Sequence, residues 1–244
     1  MSDGLRALAD KMEHAHKTSC ADFDWSLRPR LPLLVPRTTV VRAVSHFLNG
    51  ERIAERVCSV LRTRLPDAAA RGFLEMQRDD EARHAELYGR YLKALGGAAP
   101  PDTALVSAAD RALQWRGAPE AIVLACHVLL ETEAMRFNGA MERWVPCPLL
   151  GAIVTSVARD EARHVAFGRE YLRESLPALT VAERRAIYGW LKALWYDMAA
   201  GAFDVVVWTP VPRRQRRAYL DAQWSRRADW LASAGLTRAE EIRR

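Results

Sequence analysis

Hydrophobic positions along the chain recur at alternating spacings of three and four, the period of a helix with one face turned to a core. Ala, Leu, Arg and Glu dominate and β-branched runs are short, so helix is favoured over strand nearly throughout. Proline and glycine interrupt the pattern at the Pro-rich stretch Arg28 to Arg37, at Pro66-Asp67, from Gly96 to Pro101 and from Gly117 to Pro119. Further breaks fall at Pro146-Cys147-Pro148, at Pro177 and from Thr209 to Pro212. Between them the spacing predicts five long helices over 38–64, 67–95, 118–144, 149–175 and 180–206, with a short helix before them (4–16) and a basic one after (213–233). No Gly- or Ser-rich linker divides the chain. Residues 1–244 therefore read as one all-α domain, with a bundle core over about 38–175 and C-terminal helices over about 180–233.

The inward stripes are apolar with one kind of exception. On the first long helix the stripe is Val44, Phe47, Glu51, Ala54, Cys58, Leu61, Leu65, and on the second Leu74, Gln77, Glu81, His84, Tyr88. The third reads Leu124, His127, Glu131, Ala134, Asn138, Met141, and the fourth Leu150, Val154, Val157, Glu161, His164, Gly168, Tyr171. Each carries a glutamate near its middle, and two add a histidine three residues later. A buried carboxylate without a partner costs several kcal/mol, so four at matching depth require a shared cation or a dense proton network.

The polar positions also repeat. Asp80 to His84 and Asp160 to His164 are both D-E-A-R-H, and the same 80-residue shift carries Glu51 onto Glu131. The repeat is a duplicated helical hairpin whose repeated part is the polar one. Residues i and i+3 share a helix face, so each Glu–His pair can grip one cation. Antiparallel packing of the two hairpins would bring four carboxylates and two imidazoles to one point. Hard oxygen ligands with one imidazole per metal suit iron or manganese, and two such ions about 3.5–4 Å apart make a two-metal site. Glu55 and Glu133 are rival carboxylates, but each sits off the stripe or breaks the 80-residue correspondence.

With these motifs the chain resembles the ferritin-like di-iron or di-manganese carboxylate proteins, in which two helices give one Glu each and two give E-x-x-H. The resemblance covers about 38–175. It implies a ferritin-like four-helix bundle with additional N- and C-terminal helices. It makes Glu51 and Glu131 terminal ligands, Glu81 and Glu161 bridging ligands, and His84 and His164 ligands of one metal each. It further implies that Asp80 accepts from His164 and Asp160 from His84, with Arg83 and Arg163 holding the aspartates. Tyr88, four residues after His84, stands where the ribonucleotide reductase small subunit carries its radical tyrosine; a packed Tyr is the simpler expectation. His127 is expected to be a hydrogen-bonded core histidine rather than a third imidazole ligand. Val157 stands where N-oxygenases of the superfamily add their extra histidine, and Ala134 and Met135 stand where hydroxylases and desaturases often carry Thr. Phe47, Gln77, Tyr88, His127, Ala134 and Asn138 are the candidate pocket residues.

The D-E-x-R-H form is similar to that of bacterial hydrocarbon hydroxylases and soluble acyl-carrier desaturases. The activity this implies is a di-iron oxidoreductase, a monooxygenase by expectation. It would hold two iron ions cycling between Fe2+ and Fe3+, or a manganese–iron pair, with dioxygen as co-substrate. Hydroxylation, desaturation, N-oxygenation and oxidative cleavage of a small organic substrate are all open. A ferredoxin or reductase would supply electrons, and the substrate could arrive on a carrier protein. Iron storage, peroxide reduction and tRNA hydroxylation are the alternatives, and the absence of any CxxC pair weighs against a rubrerythrin-like form.

Composition narrows the picture further. At 50% hydrophobic and 27% charged residues, the chain has too much apolar content for disorder. No apolar run approaches the roughly 20 residues of a membrane span; the longest, Phe203 to Trp208, is broken by Asp204. Met1 to His16 is charged, without the apolar core of a signal peptide. A cytoplasmic protein, a homodimer by expectation and without a membrane partner, follows. Cys20, Cys58, Cys126 and Cys147 lack paired spacing and read as free thiols. The net charge of +6 is concentrated late, at Arg213, Arg214, Arg216 and Arg217, near Trp208, Tyr219, Trp224 and Trp230. A solvated helix face with aromatic packing accounts for this run, and nucleic acid is not the expected partner. His14, His16 and His46 have no evident ligand role.

Overall fold

The computed structural model describes residues 3–15, 17–31, 33, 35–205 and 211–237, the side chains of 202–205 excepted. Among these there is no strand. The helices are α1 (Asp3–Glu13), α2 (Arg37–Arg64), α3 (Ala68–Ala94), α4 (Thr103–Gln114), α5 (Glu120–Val123), α6 (Glu131–Trp144), α7 (Pro148–Ser175), α8 (Val181–Val205) and α9 (Arg216–Ser233). A π-helical segment, Leu124–Leu130, joins α5 to α6 with helical backbone at both junctions, so one rod runs through all three. The expected end of the fifth long helix at 206, and His16 and Trp208, lie outside the described residues.

Local chemistry sets the boundaries. The Asp67 carboxylate accepts from the Ala70 N–H and caps α3, and Pro148 opens α7 where its missing N–H is harmless. Gly96 and Gly97, at φ of 91° and 127°, end α3, where the Gly97 N–H returns to the Leu92 carbonyl at 2.9 Å. Helix α4 goes beyond the five long helices expected from the periodicity. Its signals are short but present: Asp102 caps it through the Ala104 N–H, and Leu105, Ala108, Ala109 and Ala112 form its buried face.

Helices α2 and α3 pack along one another, α6 packs on α7, and α3 meets α7 across the bundle. Helix α1 covers the α3–α7 seam, while α4 and α8 pair on the far side. The apolar interior is two clusters rather than one. The first takes Ile53 to Leu65 of α2, Phe73 and Leu74 of α3, Ala121 to Leu129, and Phe167 to Leu176 of the α7 end. The second takes Val40 to Leu48, Leu87 to Leu95, Met141 and Val145, and Leu149 to Val157. In every bundle helix the changeover falls at the polar residues, which form a layer between two greasy ends. No helix among the described residues is long and apolar enough to cross a membrane. Cys20, Cys58, Cys126 and Cys147 are free, all but Cys20 buried.

Candidate metal centre

Glu51 projects from α2, Glu81 and His84 from α3, Glu131 from the first turn of α6, and Glu161 and His164 from α7. All six are buried. They form two overlapping groups, Glu51–Glu81–His84–Glu161 and Glu81–Glu131–Glu161–His164, within each of which one ligand atom per residue lies no more than 4.8 Å from the others. Glu81 and Glu161 belong to both. His84 Nδ1 lies 3.2 Å from Glu161, and 3.5 Å from both Glu51 and Glu81. His164 Nδ1 lies 3.2 Å from Glu81 and 3.1 Å from Glu161.

Both imidazoles turn their other nitrogen outward. His84 Nε2 is 3.1 Å from Asp160 Oδ2, and His164 Nε2 is 3.5 Å from Asp80 Oδ2, the cross-pairing that the family resemblance implies. Arg83 and Arg163 each donate to the aspartate three residues earlier, and Lys17 reaches Asp80 at 2.9 Å. Burial disfavours the Asp80 charge, but the facing His164 ring and the hydrogen bond from Lys17 outweigh it and hold its pKa at about 2. Each ring is thus fixed with Nδ1 facing the centre, the carboxylate–histidine arrangement that orients a metal ligand.

The six groups have strained proton balances of their own. Burial, then the Glu161 charge, pushes Glu51 well above the usual carboxyl range; burial with the charges of Glu161 and Glu81 does the same to Glu131. Burial also opposes charge on Glu81 and Glu161, yet the facing imidazoles pull Glu81 well down, and hydrogen bonds from Glu131 and His164 help hold Glu161 at about 2. Both histidines are raised despite burial, because carboxylates surround them. Glu81 Oε2 and His84 Nδ1 are buried with no hydrogen-bond partner. Inward orphaned donor atoms, four clustered carboxylates and one imidazole per group are a donor set that fits two first-row divalent cations.

Glu55 and Glu133 join neither group. Glu133 pairs instead with Arg227 of α9, whose guanidinium lies 4.7 Å over the Trp195 ring and whose pKa burial lowers to about 10. His127 is not a member of either group; its Nε2 sits 2.9 Å from Gln77 Oε1. Tyr88 donates to Asn138 Oδ1 at 3.1 Å and stacks on Phe47 at 5.2 Å.

A cavity of about 400 Å³ reaches Glu51, Glu131 and Glu161. Its wall is mainly apolar, with Ala54, Leu105, Leu130, Phe137, Trp195 and Met198, and α9 adds Tyr219, Leu220, Gln223 and Arg227. Of the six residues expected in a pocket, Phe47 and Ala134 line it. Gln77, Tyr88, His127 and Asn138 do not: Gln77 bonds His127, Glu81 and Glu131, and Tyr88 bonds Asn138, all inside the bundle. Of the cavity residues that the sequence reading missed, His46, Ala54, Leu130 and Phe137 lie on the bundle helices, and Leu105, Trp195, Met198 and the α9 residues come from helices that carry no repeated motif.

No protein-family model and no curated protein matches the chain. Among solved structures it is similar to R2-like ligand-binding oxidase variants with a Mn/Fe cofactor. One, anaerobically reconstituted, gives a TM-score of 0.72, and another, aerobically reconstituted, gives 0.71. Both are 18% identical to this chain, covering 93% of it and 92% of the other. The likeness establishes the fold as the ferritin-like helical one.

Proposed function

We propose that the chain is a non-haem di-metal oxidoreductase that oxidises a small, largely apolar organic molecule with dioxygen. The observation that carries this reading is two buried four-residue donor groups sharing Glu81 and Glu161 at one end of an apolar cavity. Glu51 and His84 would hold one ion, Glu131 and His164 the other, with Glu81 and Glu161 between them. Iron, or manganese with iron as in the structural neighbours, suits this set. The bound metals would supply the reduction of dioxygen.

The protein's own part is placement. Asp80 and Asp160 face the outer nitrogens of the imidazoles, and Arg83, Arg163 and Lys17 donate to those aspartates. Phe47, Ala134, Phe137 and Trp195 exclude water and confine an apolar substrate against the carboxylates. Monooxygenation is the favoured subtype, with electrons from a ferredoxin or reductase. The cavity favours this over iron storage, which needs no apolar chamber beside the metals.

Metal analysis tests the assignment. The wild-type chain, loaded anaerobically with Fe(II), is expected to hold two ions. Glu81→Gln and His164→Ala are expected to lose at least one with the helical signal intact; two ions retained in both would refute it.

A further inference from the structure

An 80-residue shift superposes the six metal-facing residues in pairs, but it does not superpose what surrounds them. It carries Phe47 onto His127, Gln77 onto Val157 and Tyr88 onto Gly168. Around Glu51 and His84 the first copy places a Phe47–Tyr88 stack, at 18° between ring planes, and α7 contributes the apolar Val157. Around Glu131 and His164 the equivalent places hold polar groups and a space. His127 Nε2 meets Gln77 Oε1 at 2.9 Å, and Gln77 Nε2 donates to Glu81 Oε1 at 2.8 Å and to Glu131 Oε1 at 3.2 Å. A Cβ added at Gly168 would overlap the Cβ of His127, so the glycine is what lets this histidine in.

The directions of these bonds are chemically fixed. Carboxylates in the ligating state only accept, so the Gln77 amide nitrogen faces them and its oxygen faces His127. With that amide orientation, His127 Nε2 is the donor to Gln77 Oε1. His127 is wholly buried against Phe167, and burial lowers its pKa to about 3, which keeps the ring neutral. His127 sits where the rod turns π-helical, immediately before Glu131, a local departure from α-geometry that is common at functional sites.

We propose that His127 and Gln77 form a one-sided positioning relay that orients Glu131 and Glu81, makes the two metal positions inequivalent, and tightens the hold on the cation at Glu131 and His164. The relay rests on the di-metal reading above. Neither residue touches the metal. His127 locks the Gln77 amide, and the amide locks two carboxylates, as outer-shell partners of metal ligands do. The Phe47–Val157 counterpart has no hydrogen-bonding group with which to do the same.

The test titrates the metal-free full-length protein with Mn(II) alone, following bound ions by metal analysis and by electron paramagnetic resonance. The wild type is expected to bind two ions in two unequal steps. His127→Phe and Gln77→Leu are each expected to weaken one and the same step about 10–100-fold, leaving the other in place. The double variant should be no weaker than either single one, since both cut the same connection. His127→Gln, which can still donate to Gln77, should recover part of the loss. Gly168→Ala, which crowds His127 from α7, provides a second route if His127→Phe does not fold. Variants that bind both ions as the wild type does, lose both steps equally, or weaken additively would overturn the relay. A wild-type protein that takes up no metal would instead sink the di-metal reading itself.

Discussion

A glutamate on an apolar stripe is an anomaly of one residue, and at that scale the centre is a problem of charge balance. His84 and His164 are held toward the protonated form, Glu51 and Glu131 toward the neutral acid, and Glu81 and Glu161 toward the carboxylate. The six groups therefore approach neutrality using protons alone. Ligation requires neutral imidazoles and ionised carboxyls, so metal uptake must expel protons. Affinity is accordingly expected to fall as the pH drops from about 8 to about 6, where ligation must compete with rising proton activity. Calorimetry of metal binding in two buffers of different ionisation enthalpy should register net proton release; buffer-independent heats would contradict the balance. Tyr88 gives a second prediction. Tyr88→Phe leaves the buried Asn138 oxygen without its donor and should cost about 1–3 kcal/mol in urea unfolding. Metal content should stay at the wild-type value, because Tyr88 is in neither donor group. The six inward polar residues were legible because a repeated motif marks them. The Gln77–His127 bond was not, since helical spacing shows that two side chains face inward but not which neighbour each one meets.

Among the elements, the four bundle helices were readable because long amphipathic runs leave a strong 3.6-residue period. Helix α4 was not, since twelve residues between two glycine- and proline-bearing breaks carry little periodic weight. Its importance is tertiary. It packs on α8, and at Gly201 of α8 an added Cβ would overlap the Ala104 side chain. The same helix carries Gly189, where an added Cβ meets nothing within 4 Å. The two glycines should therefore answer the same substitution with opposite signs. Gly189→Ala gains helix propensity and should raise stability by about 0.5–1 kcal/mol. Gly201→Ala gains the same propensity but must part α4 from α8, and overpacking costs about 1–3 kcal/mol, so a net loss is expected. Chemical denaturation of both variants measures the contrast; a gain at Gly201 would mean that the α4–α8 crossing is loose.

The molecule as a whole joins what the repeat encodes to what it does not. Two apolar ends enclose a polar layer, and α4, α8 and α9 wrap one side to form the cavity with Leu105, Trp195, Met198, Leu220 and Arg227. Those residues are distant in sequence and share no motif, so no spacing rule assembles them. Within α9, Arg217 of the basic run pairs with Asp221 and lies over Tyr196, and Trp224 packs between Tyr188 and Trp195, so the helix is tied to α8 by both. The polar layer is the molecule's costliest region without metal, because it crowds ionisable groups that the two clusters cannot solvate. Two ions that bind only the folded chain should then stabilise all of it. At free metal about 100 times the dissociation constant, each site adds about 2.7 kcal/mol. For a chain of this length each kcal/mol corresponds to about 2–4 °C, so chelation should lower the melting temperature by about 10–20 °C when both sites empty. Glu81→Gln, which removes a carboxylate common to both groups, should show little metal-dependent shift. A wild-type melting temperature indifferent to chelator, with metal demonstrably bound beforehand, would place the ions outside this layer.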